Sequence, residues 1–220
     1  MQAFESNIAA DDARIRLADA MRQIIDELAS STADAGSFAA ARDLVERAAA
    51  VLAAGSHGRT YSAAEAAVAD FGMFAFVDYS PFLGVLNPLA PPIHMSWSTE
   101  QGSTEVCGTV TYPGAYEGPP GCVHGGFIAA GFDEVLGFTQ AHANRPGMTA
   151  SLTIDYRSPT PLHRELQFRG RIDRIEGRKT FTSAELVVAA DGRLCAQATG
   201  LFIALPQEVF ERMKDERTAG

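Results

Sequence analysis

The feature of this sequence that most constrains its fold is one long apolar helical segment followed by four strand-like runs. The segment from Gly125 to His142 is apolar on most of its sides, which predicts a helix buried by its surroundings. The runs after it are rich in β-branched and aromatic residues and cover Thr149 to Tyr156, Glu165 to Ile175, Lys179 to Ala189 and Arg193 to Leu205. The connections at 176–178 and 190–192 are short enough for hairpin turns. This pattern predicts an α+β fold in which an antiparallel sheet wraps around the helix.

The first part of the chain has a different character. Two Ala-rich segments, Asp11 to Leu28 and Ser37 to Ala54, place apolar residues at helical spacing, and Ser37 is the expected N-cap of the second. A third, short helix is expected from Ser62. The prolines between Asn87 and Pro92 exclude a helix interior or a central strand there, so this stretch indicates a boundary or a crossing loop.

These patterns divide the chain into three parts. We expect a helical N-terminal extension over residues 1–80, a core domain over residues 81–206 and a C-terminal tail over residues 207–220. Two further strand-like runs, Ile93 to Ser98 and Glu105 to Thr111, open the core domain ahead of the long helix.

The composition of the chain narrows the classes of function. A net charge of −9 argues against a general nucleic-acid binder and against a protein of anionic membrane surfaces. There is no run of about eighteen apolar residues, no secretory leader pattern, and only three widely spaced cysteines. We therefore expect a reduced, cytoplasmic protein. The histidines lack metal-ligand spacing, so no metal and no redox cofactor is expected.

Basic residues are concentrated in one part of this acidic chain. Residues 145–179 contain eight Arg and Lys against four Asp and Glu. Such a block can bind the phosphate groups of a small anionic ligand. For any single Arg, an ordinary position on the outward face of a strand is an equally good interpretation. Arg157, Arg178 and Lys179, which lie at a strand end or a hairpin, are the candidates for phosphate contact.

The candidate catalytic residues lie at the start of the long helix and in its next turns. Gly125 and Gly126 follow His124 at the helix start, where free backbone N–H groups and the positive end of the helix dipole can polarise a carbonyl oxygen. Asp133 lies on the same face two turns later, and an acid in an apolar helix is costly without a partner or a function. Seven residues of helix separate Asp133 from Gly126 by roughly 10 Å, so one carbonyl cannot contact both. We therefore predict a dimer in which two subunits contribute to each site.

The order Val-His-Gly-Gly, with Asp nine residues after the His, resembles the PaaI-type hotdog-fold acyl-CoA thioesterases. Four later segments match that family in the same order, at residues 147–156, 159–162, 176–179 and 198–205. The resemblance covers about residues 87–206 and does not include the helical N-terminal residues. It implies the hotdog fold, an antiparallel sheet around a long central helix, with a helical extension added before it.

The resemblance also implies roles for particular residues. Asp133 matches the catalytic carboxylate, which acts as a general base on water or as a nucleophile on the thioester. Gly125 and Gly126 match the amides that polarise the thioester carbonyl, and His124 supports that end of the site. Thr149 matches a hydroxyl that holds the water or the carboxylate of the facing subunit.

Several nearby residues have less specific interpretations. Some relatives have Asn six residues before the His, where this chain has Gly118, so the role of that Asn is absent or supplied elsewhere. Glu134 is about 100° around the helix from Asp133, which makes it a helix-face residue or a candidate contact to the substrate. Cys122 and His124 are too close in sequence to indicate a nucleophile pair, and no G-x-S-x-G elbow is present.

The expected function is hydrolysis of medium- or long-chain acyl-CoA to a free acid and coenzyme A, by a homodimer or a dimer of dimers without a cofactor. A non-catalytic acyl-CoA-binding or regulatory protein on the same fold is the first alternative. A hotdog hydratase is the second, but it would place a His base on a differently patterned helix, whereas His124 precedes the helix.

Overall fold

The computed structural model of the chain describes residues 2–3, 12–55, 77–100, 103–142, 147–204 and 208. The α-helices in these residues are α1 (Asp12–Ser30), α2 (Ala35–Ala53) and α3 (Gly125–His142). The strands are β1 (Gln2–Ala3), β2 (His94–Glu100), β3 (Ser103–Thr111), β4 (Gly147–Tyr156), β5 (Glu165–Glu176), β6 (Lys179–Val188) and β7 (Leu194–Ala204). The short helix expected from Ser62 and most of the expected C-terminal tail lie outside the described residues.

The strands form one antiparallel sheet in the order β1-β2-β3-β5-β6-β7-β4. Each strand-like run of the sequence corresponds to a strand, with ends that differ by no more than two residues. The two-residue strand β1, which pairs with Ser96 and Trp97 of β2, was not predicted. β4 follows α3 in the chain but lies at the edge of the sheet beyond β7, so no other strand among the described residues pairs with one side of its backbone.

Helix α3 lies against the sheet and packs on β3, β4, β5, β6 and β7. Its inward residues are fully or almost fully buried: Ile128, Phe132, Val135, Leu136 and Phe138. The helix contains Gly131 because a Cβ at that position would lie 2.6 Å from Cζ of Phe168, whose ring meets Phe132 edge-on at 5.1 Å. The predicted buried helix and the predicted sheet around it are both confirmed.

The segment before β2 belongs to the same core. Val77, Leu83 and Ile93 are buried in the cluster that includes the α3 side chains. The Asn87–Pro92 stretch forms turns and loop, as its prolines indicate.

Helix α2 begins earlier than the sequence predicts. Its N-cap is Asp34, whose Oδ1 accepts the amide of Ser37 at 2.8 Å, so the prediction of Ser37 as the N-cap is wrong. A carboxylate three residues before an amide is an equally good cap, and Ala35 and Gly36 are compatible with the first helical turn.

Candidate active site

The chain enters α3 through a loop that is fixed by its neighbours. The amide of Val123 donates to the Thr160 carbonyl at 2.9 Å, and the amide of His124 donates to the Tyr116 carbonyl at 2.9 Å. The His124 carbonyl in turn accepts two amides of the first helical turn. The start of α3 is therefore held in place from two sides.

The two glycine amides at this helix start have different partners. Gly126 N–H donates to Nδ1 of His124 at 3.0 Å. Gly125 N–H donates to no acceptor in the part of the chain that the structure describes. An Nδ1 that accepts a hydrogen bond carries no proton, so the ring hydrogen of neutral His124 lies on Nε2. Of the two amides that the sequence singled out, Gly125 is the one open to a ligand, while Gly126 is used to cap the helix.

The space around Gly118 is occupied by His124. A Cβ at Gly118 would lie 2.8 Å from the His124 Cα and 3.1 Å from its Cβ. An Asn side chain, such as some relatives have here, therefore requires a shift of the backbone. The His124 imidazole, with Cδ2 3.2 Å from that Cβ position, lies against the loop instead.

Asp133 and Thr149 are brought together within one chain. The Thr149 hydroxyl donates to Oδ1 of Asp133 at 2.8 Å, with both side chains accessible from solvent. The register of β4 against β7 shifts between Thr149 and Ser151, which marks a β-bulge at Ala150. A bulge changes the side-chain alternation of a strand, and here it lets Thr149 face α3 together with Leu152 and Ile154. The expectation that Thr149 holds water or the carboxylate of a facing subunit stays a prediction, and within the chain its hydroxyl contacts Asp133.

A second hydroxyl of β4 reaches the other end of the helix. Tyr156 Oη donates to the carbonyl oxygen of Gly125 at 2.8 Å. That carbonyl belongs to the peptide unit whose N–H, on Gly126, donates to His124, so Tyr156 and His124 hold the same peptide from opposite ends. A glycine backbone is free to adopt several conformations, and the hydrogen bonds from Tyr156 and to His124 limit this freedom. They therefore restrain the direction of the neighbouring Gly125 N–H. Sequence reasoning missed Tyr156; its even spacing with Leu152 and Ile154 on β4 was the signal that could have identified it.

The two ends of the helix are too far apart to act together in one chain. Eight residues of α-helix separate Gly125 from Asp133, a rise of about 12 Å. β4 runs alongside the helix in the opposite direction, with Thr149 at the Asp133 end and Tyr156 at the Gly125 end. This geometry agrees with the sequence-based estimate that one carbonyl cannot contact both groups.

Glu134 faces a different part of the molecule from Asp133. The Ser80 hydroxyl donates to Oε1 of Glu134 at 3.2 Å, and Ser80 Oγ accepts the amides of Phe82 and Leu83. Burial raises the pKa of Glu134, the Ser80 hydrogen bond lowers it, and the nearby Asp133 charge raises it. The structure therefore places Glu134 as a support for the segment around residue 80.

The raised pKa of Glu134 predicts a pH-dependent cost to stability. The folded chain binds a proton on Glu134 more readily than the unfolded chain, so stability falls as the pH rises from the ordinary glutamate pKa through the raised value. Glu134→Gln keeps a carbonyl acceptor for Ser80 and removes the charge. We expect this variant to be more stable than the wild type at pH 7 and the difference to disappear below about pH 4.

Urea unfolding at a fixed protein concentration and several pH values measures this difference. Glu134→Ala is the matched variant, because it leaves the buried Ser80 hydroxyl without its acceptor and costs about 1 kcal/mol relative to Gln. A wild type that is as stable as the Gln variant at pH 7 would contradict the cost assigned to the buried charge.

The three candidate phosphate ligands lie at two ends of the sheet. Arg157 follows β4 and pairs with Asp155 at 3.2 Å. Arg178 and Lys179 lie in the β5–β6 hairpin, where the Arg178 carbonyl accepts the amide of Ala204. About eight residues of strand, roughly 25 Å, separate the two positions. Within the described ranges, no carboxylate lies within ion-pair distance of Arg178 or Lys179.

No described helix is both long and apolar enough to cross a membrane. Over the same residues, no group of three or more His, Cys, Asp or Glu side chains is arranged to hold a metal ion.

The antiparallel sheet around a central helix is the hotdog fold, and comparisons with known proteins identify the class. The profile of the thioesterase superfamily matches residues 120–196. A crystal structure of a thioesterase superfamily protein is 31% identical to this chain and superposes with a TM-score of 0.75, over 92% of this chain and 100% of that one. Because this match leaves out less than a tenth of the chain, it includes at least part of α1 and α2.

Curated relatives match a shorter stretch. Acyl-coenzyme A thioesterase THEM4 of Xenopus laevis is 44% identical over 94 residues, which are 42% of this chain and 42% of that protein. Acyl-coenzyme A thioesterase THEM5 of Homo sapiens is 33% identical over 97 residues, 44% of this chain and 39% of that protein. The matched stretch spans less than half the length of these relatives. The chain belongs to the thioesterase superfamily.

Proposed function

We propose that this protein hydrolyses acyl-CoA thioesters, with medium- or long-chain acyl groups as substrates. The observation that carries the proposal is the pairing of Thr149 with Asp133 at one end of α3 and the open Gly125 amide at the other. Thioester hydrolysis needs a carboxylate that can accept a proton and an N–H that can donate a hydrogen bond to the oxygen that becomes negative. Membership of the thioesterase superfamily and relatives named acyl-coenzyme A thioesterases support the same reaction.

A homodimer joined along β4 supplies both groups to one site. β4 is an edge strand with an unpaired backbone, and two copies related by a two-fold axis can pair there in antiparallel fashion. Such pairing brings the Thr149 end of one β4 to the Tyr156 end of the other. Asp133 accompanies Thr149, and Gly125 accompanies Tyr156, so each site takes its carboxylate from one subunit and its amide from the other.

The reaction follows from these positions. A water molecule beside Asp133 attacks the thioester carbonyl carbon and gives a proton to the carboxylate oxygen that Thr149 does not occupy. The carbonyl oxygen becomes negative and accepts the N–H of Gly125 of the partner subunit. The carbon–sulfur bond of the intermediate then breaks, which gives the free acid and the coenzyme A thiolate. The thiolate takes up the proton that Asp133 received from the water.

The phosphates of coenzyme A have candidate ligands at the same composite site. Arg178 and Lys179 lie at the Asp133 end of their own sheet, and Arg157 of the partner subunit would lie at the Gly125 end. We expect the double variant Arg178→Ala, Lys179→Ala to raise the KM for an acyl-CoA roughly tenfold, because charged hydrogen bonds to phosphate are lost. The kcat should change little, since neither side chain reaches the thioester.

The measurement compares the KM for an acyl-CoA with the KM for the same acyl group on N-acetylcysteamine, a thioester without phosphates. Only the acyl-CoA value should rise. Arg42→Ala, which removes an exposed arginine on α2, is the matched control and should leave both values unchanged. A KM that rises equally for both thioesters would show that the two residues do not bind phosphate.

The proposed activity is tested by release of free coenzyme A, followed with a thiol reagent, over acyl-CoAs of increasing chain length. Turnover that is highest with medium or long acyl groups supports the proposal. Tight binding of acyl-CoA without any turnover would instead establish the alternative, a binding or regulatory protein on this fold.

A further inference from the structure

Helix α1 is attached to the core by one face, on which Ala18 is buried and two polar side chains make hydrogen bonds. Arg22 donates from Nε to the Ala90 carbonyl at 3.1 Å and from Nη2 to the Val85 carbonyl at 2.6 Å. One turn later, Asp26 Oδ1 accepts the amide of Ala115 at 3.1 Å. These bonds dock the helix in a fixed orientation beside the loop that leads into α3.

The apolar stripe of α1 points away from this attachment. Four large apolar residues recur at spacings of four, three and four along the helix and are 38% to 64% exposed: Leu17, Met21, Ile24 and Leu28. This spacing is that of a coiled-coil seam, which is stable when another helix covers it. The apolar face that the sequence would assign to the core is therefore left uncovered by the described part of the chain.

Helix α2 has a second uncovered stripe. None of its residues is buried. Its large apolar residues fall on one side at heptad spacing and are 39% to 76% exposed: Phe38, Leu44, Val45, Val51 and Leu52. Because most helical stability in proteins comes from packing of an amphipathic face, the apolar side of α2 is a surface that a partner can cover.

The apolar stripes of α1 and α2 have similar spacing, but they do not cover each other. Only residues 31–34 connect the two helices, and α2 buries no side chain against α1. We propose that the arm formed by α1 and α2 (residues 12–53) is a dimerisation element, in which α2 of one copy packs on the α1 stripe of a second copy and the reverse. In a dimer with a two-fold axis, both stripes of each copy are covered, because each copy contributes one α1 stripe and one α2 stripe.

The exposed apolar area of the two stripes is large enough for an interface with a second copy of the chain. The nine large apolar side chains of the two stripes are 38% to 76% exposed. Together they approach the roughly 800 Å² that each partner contributes to an interface of standard size. The arm carries five Arg and no Lys against seven Asp and Glu, whereas a helix that binds an anionic membrane has a basic polar face.

The attachment of α1 also places the arm next to the proposed subunit contact. Ala115, which Asp26 holds, lies beside Tyr116, whose carbonyl accepts the His124 amide at the start of α3. The arm interface therefore lies next to the end of α3 that meets the second subunit in the proposed dimer joined along β4. The arm proposal itself does not depend on catalysis.

Sedimentation equilibrium over a dilution series tests the proposal on the full chain. Val45→Glu with Leu52→Glu places charges in the α2 stripe, and we expect the concentration for half-association to rise at least tenfold. Ala39→Glu with Ala50→Glu adds the same charges on the opposite face of α2 and should leave association unchanged. Equal association of the stripe variant and the wild type would overturn the proposal.

Cross-linking distinguishes a second copy from closure of the arm on itself. Ile24→Cys and Val45→Cys are made in separate chains, both with Cys122→Ser, since Cys107 and Cys195 are buried. After the two proteins are mixed, a short bismaleimide should join them into one covalent dimer. Absence of this product, or an Ile24→Cys, Val45→Cys chain that cross-links only within itself, would overturn the proposal.

Discussion

Asparagine in place of Asp133 is expected to lower kcat for an acyl-CoA by roughly 10³-fold, because an amide cannot take the proton of the attacking water. The substitution keeps the shape of the side chain, and the amide oxygen can still accept the Thr149 hydroxyl that the carboxylate accepts at 2.8 Å. The KM should therefore change little, since the lost interaction is one that matters in the transition state. Coenzyme A release at saturating substrate gives kcat, and calorimetric titration confirms that the variant still binds.

Glu134→Gln is the matched control for this substitution. It removes a carboxylate at the next position of the same helix, where the side chain accepts a hydrogen bond from Ser80. This variant should keep most of its turnover. Turnover that survives in Asp133→Asn and is lost in Glu134→Gln would assign the base to Glu134 and refute the role given to Asp133.

The sequence identifies candidate reacting groups but not the contacts that orient them in the structure. Gly125 and Asp133 are recognisable because their residue types and helical spacing carry the chemistry. The bulge at Ala150 has no comparable signal: it depends on how β4 pairs with β7, a partner more than forty residues away. The Tyr156 contact to Gly125 depends on the same long-range pairing, since β4 must lie alongside α3 before its hydroxyl can reach the helix.

The N-terminal extension shows a different limit. Apolar periodicity predicts α1 and α2 correctly as helices, but it does not show which side of each helix meets the core. In the structure, Arg22 and Asp26 dock α1 through backbone carbonyl and amide groups, and such polar contacts leave no periodic pattern. The apolar stripes are exposed in the described part of the chain, and apolar periodicity does not identify the element that covers such a stripe.

Two inactive variants are expected to restore activity when they share a dimer. Asp133→Asn removes the carboxylate from both sites of its homodimer. Gly125→Val places a branched side chain against Tyr156 Oη, which lies only 3.3 Å from the Cβ position, and blocks the approach of a carbonyl to the amide. In a mixed dimer, one site combines the intact Asp133 of one chain with the intact Gly125 of the other, while the second site has both defects. A purified heterodimer should therefore reach about half of the wild-type kcat per dimer, as the symmetry of a composite site requires.

Co-expression with two different affinity tags allows the heterodimer to be isolated before the coenzyme A assay. Far-UV circular dichroism and sedimentation check that the Gly125→Val chain folds and associates, and Gly125→Ala, with one added methyl group, replaces it if it does not. A heterodimer of two folded chains that stays as inactive as its parents would place both reacting groups in one chain. That result would conflict with the rise of about 12 Å between Gly125 and Asp133, and it would require α3 or β4 to rearrange when substrate binds. Recovery of activity would instead show that two subunits share each site, as the proposed pairing along the edge of β4 requires.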